Sequence, residues 1–183
     1  MALDLIVIGL IVLIALFLVL LYNGLVRARN MVENAWSQID VQLKKRSDLI
    51  PNLMETVKGY MKHERETLKE VTEARTKFLN AQTMGEKAKA SNMMTDALKS
   101  IFAVAESYPQ LRASENFKHL QEELSDIEGK IAYARQFYND SVLEYNNSIQ
   151  VFPNSMVAGP FGFAKREFFE VSAGERQNVK VKF

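Results

Sequence analysis

Residues 5–26 form a run of 22 positions with no formally charged side chain, built mostly from Leu, Ile and Val. Wound as a helix, the run measures about 33 Å, close to the roughly 30 Å hydrocarbon core of a bilayer. Tyr22 stands where an interfacial aromatic belongs, and Arg27 and Arg29 end the span. A cleaved signal peptide would want a basic start, a shorter apolar run and a small-x-small site. Here Asp4 precedes the run and no Ala-x-Ala follows it. The expectation is an uncleaved transmembrane anchor over residues 1–29. Arg27, Arg29, Lys44, Lys45 and Arg46 all follow the run, so the positive-inside rule puts the N-terminus outside and the domain in the cytoplasm.

The 183 residues imply one domain beyond the anchor, long enough to bury a core. Of 23 basic and 22 acidic residues, only Asp4 precedes Arg27, which leaves a net charge of +2 beyond the span. That balance excludes a strongly basic nucleic-acid surface. Cysteine is absent, so disulfides, a thiol nucleophile and a zinc ribbon are excluded as well.

An apolar stripe begins just past Arg29: Val32, Trp36, Ile39, Leu43, Ile50, Leu53, Val57, Met61, Leu68, Val71 and Phe78. Steps of three, four and seven mark an amphipathic helix running straight on from the anchor. Pro51 removes one i→i−4 bond, so a kink is expected over 47–50. Residues 81–85 read as a turn. A second helix follows, with Ala90, Met94, Ala97, Ile101 and Val104 on one face, ending near Tyr108 before Pro109. Ser114 is placed to cap a third helix, striped by Phe117, Leu120, Leu124, Ile127, Ile131, Ala134, Tyr138, Val142, Tyr145 and Ile149.

Such helices are not stable alone. The fold class is therefore all-α: a transmembrane helix continuing into an antiparallel, coiled-coil-like bundle of long helices over 30–152, followed by an extended tail over 153–183. The tail carries Pro153, Gly159, Pro160 and Gly162 among the aromatics Phe161, Phe163, Phe168 and Phe169. Val179, Val181 and Phe183 alternate with lysines, a strand pattern that lacks a ladder partner in a helical bundle. Two outcomes follow for the tail. It caps its own bundle end, or it docks on a neighbouring copy or on the bilayer surface, where Lys165 and Arg166 suit the interface.

Candidate chemistry is sparse. His63 and Glu64 begin a zinc-protease pattern, but Thr67 occupies the place of its second histidine. No metal or cofactor is expected. Glu128, Arg135, Asn139 and Asn146 are spaced by 7, 4 and 7 along one edge of the third helix, with Asn52, Arg75 and Glu106 on facing elements. They read as an interhelical polar network fixing register rather than as an acid–base site, because no nucleophile–base pair or oxyanion cradle accompanies them.

Several of these residues fall in a recognisable order. Leu49-Ile-Pro-Asn-Leu53, Gly59-Tyr60, His63-Glu64 and Ala74-Arg75 come first. Tyr108-Pro-Gln-Leu111, Ala134-Arg135, Tyr138-Asn139 and Tyr145-Asn146 follow, then Phe152-Pro153 and the Phe161-Gly-Phe163 to Phe168-Phe169 tail. Together they resemble the bacterial LemA family over essentially the whole chain. The resemblance implies a single-pass protein of the bacterial inner membrane, a long-helix bundle and no established enzymatic activity. It also implies an association with membrane proteases of the HtpX type or with TPM-domain proteins, and hence with envelope stress or membrane quality control. The expected function is a non-enzymatic, membrane-anchored scaffold that forms a homo-oligomer, strand addition at 179–183 supplying the missing ladder. The alternative is a monomeric adaptor of a membrane protease, and the remotest one an enzyme using Glu106 or Glu128.

Overall fold

The computed structural model of the chain describes residues 1–169; the expected strand at Val179, Val181 and Phe183 lies outside them. Helix is the regular structure of the described residues, with no strand among them. Among the described residues six helices follow one another: α1 (Ala2–Lys58), α2 (Arg65–Asn80), α3 (Met84–Ala105), α4 (Pro109–Ala113), α5 (Glu115–Ser148) and α6 (Asn154–Ala158). The anchor does continue into the bundle as one helix, and α1 runs unbroken through 47–50 with Pro51 inside it.

The first stripe, expected as a single helix to Phe78, is split. α1 closes where the amides of Tyr60 and Met61 both donate to the Val57 carbonyl (3.0 and 2.9 Å), and α2 starts only at Arg65. The seven-residue step from Met61 to Leu68 conceals a chain reversal. A straight helix would have left Val71, Ala74 and Phe78 without an apolar partner, whereas the reversal buries all three. The expected three helices thereby become four in the bundle.

The chain forms two compact units. One comprises Ile39–Tyr133, together with Phe169 among the described residues. Here α1, α2, α3 and the first half of α5 alternate in direction. Arg75 of α2 reaches back to Ser47, Lys87 at the start of α3 meets Asp40, and Arg46 meets Glu128 of α5. The core is made of Ile39, Leu43, Ile50, Leu53 and Val57 from α1, with Val71 and Phe78, Met94 and Ile101, and Phe117, Leu124 and Ile131 from the other three. Thr83 and Glu86 form a capping box on α3: the Thr83 hydroxyl accepts from the Glu86 amide, and the Glu86 carboxylate accepts from the Thr83 amide. Backbone donors at Gln82 and Thr83 hold the Glu86 carboxyl below its ordinary range. Ser114 caps α5 as expected, its hydroxyl accepting from the Phe117 amide. The short α4, opened by Pro109 at its first position, was not legible in the apolar pattern.

The other unit comprises Met1–Gln38 and Ala134–Phe168. The second half of α5 packs on α1 through Ala35, Val32, Ala134, Val142 and Tyr145, all buried, and the rings of Trp36 and Tyr138 meet edge-on at 5.7 Å. Full burial along α1 begins at Leu25, whereas the large apolar side chains from Leu3 to Leu20 are exposed. The tail is not extended throughout. α6 occupies part of it, Gly162 then takes a left-handed φ of 71° that suits a residue without Cβ, and residues 163–169 run on without regular structure.

Candidate functional site: a core arginine and a clasped tail

Arg46 lies at the centre of the four-helix unit and is wholly buried. Its position follows from the stripe on α1, because it fills the gap between Leu43 and Ile50 on the core face. One terminal nitrogen donates to the Ser91 carbonyl and hydroxyl (3.0 and 2.7 Å). The other donates to the Thr95 hydroxyl at 2.8 Å and to the Glu128 carboxylate. Thr95 in turn donates to Glu128 Oε1 at 2.9 Å, so one hydroxyl links the two charges. Burial pushes the Arg46 guanidinium below its ordinary range, and the charge and hydrogen bond of Glu128 oppose that shift. Nε of Arg46 has no hydrogen-bond partner, and neither does Gln42 Oε1, one turn before it, or Ser47 Oγ, on the next residue. The Glu128 side chain keeps 40% of its exposure, so the pair is buried only at its cationic end.

Arg75 meets a different need. A helical proline withholds the amide that would bond the carbonyl four residues earlier, which for Pro51 is the carbonyl of Ser47. Arg75 Nε donates to that carbonyl at 3.0 Å. The guanidinium of α2 therefore replaces the donor that Pro51 removes.

In the unit that carries the apolar helix, the tail returns along α1 and α5 as irregular backbone with no ladder. Side chains stand in for a neighbouring strand. The Asn146 carboxamide donates to the Arg166 carbonyl and accepts from the Arg166 amide, both at 2.9 Å. The Tyr145 hydroxyl donates to the Ala164 carbonyl (3.0 Å) and the Tyr138 hydroxyl to the Glu167 carbonyl (2.9 Å). Burial raises the Tyr138 hydroxyl above its ordinary range. Arg166 pairs with Glu33 of α1 at 3.2 Å, Phe163 is buried under the Arg29 guanidinium, and Phe161 lies on the Tyr22 ring at 5.0 Å.

The residues singled out in the sequence thus go to separate places. Glu128 joins Arg46, Arg75 joins Ser47, and Asn146 joins the tail. Asn52 is exposed, its carbonyl accepting from Thr56, and Glu106 is exposed at the C-cap of α3. Arg135 and Asn139 are half-buried on α5. Of the tail aromatics, Phe163 and Phe169 are buried, while Phe161 and Phe168 are exposed. His63 is exposed in the reversal after α1, and His119 is exposed beside Glu123. Arg46, Ser91 and Thr95 escaped the sequence reasoning. The signal was the seven-residue gap in the α1 stripe, masked by the Lys44-Lys45-Arg46 triplet that reads as a solvated face.

Long packed helices, led by a helix long and apolar enough to cross a membrane, define a membrane-associated helical protein. The chain belongs to the LemA family, whose profile matches residues 35–183. It is 28% identical over 158 residues to Protein LemA of Metamycoplasma hominis, a match covering 86% of this chain and 72% of that one. It is 35% identical over 81 residues to Magnetosome protein MamQ of Magnetospirillum gryphiswaldense, covering 44% of this chain and 30% of the relative. With Magnetosome protein MamQ 2 of Paramagnetospirillum magneticum it shares 24% identity over 179 residues, or 84% of this chain and 66% of the relative. The chain thus spans less than two thirds of the length of these magnetosome relatives.

Proposed function

We propose that the protein is a non-enzymatic, membrane-anchored helical scaffold that self-assembles at the bacterial inner membrane. The observation that carries this is the first part of α1: an 18-residue apolar window, none of it buried against the rest of the chain. In water such a surface is unfavourable by about 25 cal/mol for each Å² of apolar area, and a bilayer is the solvent that removes the penalty. Positive charge after the span favours a cytoplasmic bundle. A scaffolding role is supported by how the charges are used. Arg46, Arg75 and Arg166 each hold one element against another, which builds rigidity rather than a reaction centre. Work in envelope stress or membrane quality control, beside an HtpX-type protease or a TPM-domain protein, is the physiological setting we favour. Native mass spectrometry of the gently extracted full chain tests self-assembly. Multiples of the 20.9 kDa chain mass are expected, reduced when residues 179–183 are deleted. A monomer unaffected by that deletion contradicts self-assembly, and a monomer carrying one protease at fixed stoichiometry would establish the adaptor role instead.

A further inference from the structure

The turn after α5 exposes apolar side chains that the bundle does not use. Val151 is 52% exposed, Phe152 79%, Met156 66% and Phe161 62%, while Val157 and Ala158 between them are buried. Two features fix where this turn lies along α1. Phe161 and Phe163 both contact the Tyr22 ring, at 5.0 and 5.7 Å. Trp36 also contacts Tyr138, and the two helices run in opposite directions. From Trp36 back to Tyr22 is about 21 Å of helix, and from Tyr138 on to Ser148 is about 15 Å, so the turn that follows reaches the level of Tyr22. Tyr22 ends the exposed apolar part of α1, and Leu25 begins the packed part. The turn is held rigidly there: the Phe161 amide donates to the Val157 carbonyl (3.3 Å) and the Phe163 amide to the Ala158 carbonyl (2.9 Å). Arg29 sits over the Phe163 ring at 5.4 Å, which ties the turn to α1 on the bundle side of Tyr22.

We propose that the turn 151–161 is a second membrane contact, inserting Phe152, Met156 and Phe161 into the headgroup and acyl boundary beside the point where α1 leaves the bilayer. Its occupant is lipid, because the patch is continuous through Tyr22 with the membrane-facing surface of α1. The inference rests on α1 being the anchor. It turns a helix free to tilt and spin in the membrane into a two-point attachment, which fixes the orientation of this unit to the surface.

The chain has no cysteine, so single thiols report cleanly. Full-length Leu13→Cys, Ser37→Cys and Ser155→Cys, each carrying a small fluorophore, would be reconstituted into phosphatidylcholine–phosphatidylglycerol vesicles. Lipid-borne nitroxides at two depths and aqueous iodide serve as quenchers. The deep nitroxide is expected to quench Leu13. The shallow one is expected to quench Ser155 at least threefold more than Ser37, an advantage lost when Phe152→Ser and Met156→Ser are added. If Leu13 is quenched but Ser155 behaves as Ser37 does, the second contact is wrong and the anchor stands. Should Leu13 escape the lipid quencher, the anchor fails and the inference with it. Shielding of Ser155 from iodide without lipid quenching means that protein covers the turn, which also overturns the proposal.

Discussion

Arg75 Nε donates to the carbonyl of Ser47, the acceptor that Pro51 leaves without its helical donor. Sequence alone marks Arg75 and Pro51 as notable for unrelated reasons, and the structure makes them two halves of one device. A proline in a helix interior costs about 3 kcal/mol, partly through the orphaned carbonyl. A guanidinium bond to a carbonyl is worth roughly 1.5–3 kcal/mol where water is excluded, and less for the half-buried Arg75.

The pair should therefore be coupled. Arg75→Met is expected to destabilise the chain by about 1–2 kcal/mol in urea unfolding of the detergent-solubilised protein. In a Pro51→Ala background, where residue 51 regains its amide, the same substitution should cost less by about 1 kcal/mol. Equal costs in both backgrounds would show that Arg75 does not answer the proline.

Arg46 and Glu128 should respond asymmetrically. Removing Glu128 strands a wholly buried cation, whereas removing Arg46 leaves a carboxylate that already meets water. Glu128→Ala is expected to cost about 3 kcal/mol, on the order of 6–12 °C in Tm, and Arg46→Met distinctly less. Thermal unfolding followed by circular dichroism decides it, and the reverse order would place the burden on the arginine's packing instead.

The tail clasp is testable at one amide. Arg166 N–H is held by Asn146 Oδ1, so Asn146→Ala should lower its hydrogen-exchange protection on the order of 10–100-fold. Trp36, the single tryptophan, packs on Tyr138 and gives a fluorescence check that this unit otherwise stays folded. Gly162→Ala should weaken the same region by about 1 kcal/mol through its positive φ alone, since an added Cβ meets nothing there. Gly159→Ala, with equally open space and a helical φ, should be neutral or slightly stabilising.

Glu86 sets a pH dependence. Its carboxyl is held below the ordinary range by the Gln82 and Thr83 amides. A depressed folded pKa gives stabilisation that is complete above the unfolded value and lost as pH falls through the folded one. Glu86→Gln should accordingly flatten the acid limb of a stability–pH curve, and Thr83→Ala should cost about 1 kcal/mol across it.

How much was legible depends on what kind of partner a residue has. Apolar periodicity located α5, its Ser114 cap and the continuous α1, because burial of a stripe is a property of the sequence itself. The reversal at 59–64 was hidden because a step of seven fits one helix as well as two. Arg46 was concealed by its charged neighbours, although the gap between Leu43 and Ile50 pointed to it. Asn146 and Arg75 were singled out, but their partners are backbone groups, and backbone acceptors leave no mark in composition or spacing.

In the topology proposed above, α1 crosses the bilayer with its start outside and the residues after Tyr22 in the cytoplasm. The most direct measurement is labelling of Leu3→Cys and Ser37→Cys, each in the full chain, by a membrane-impermeant maleimide on intact cells with a permeabilised outer layer. Leu3→Cys is expected to react at once, and Ser37→Cys only after the inner membrane is lysed. Equal reactivity of the two thiols before lysis would contradict it.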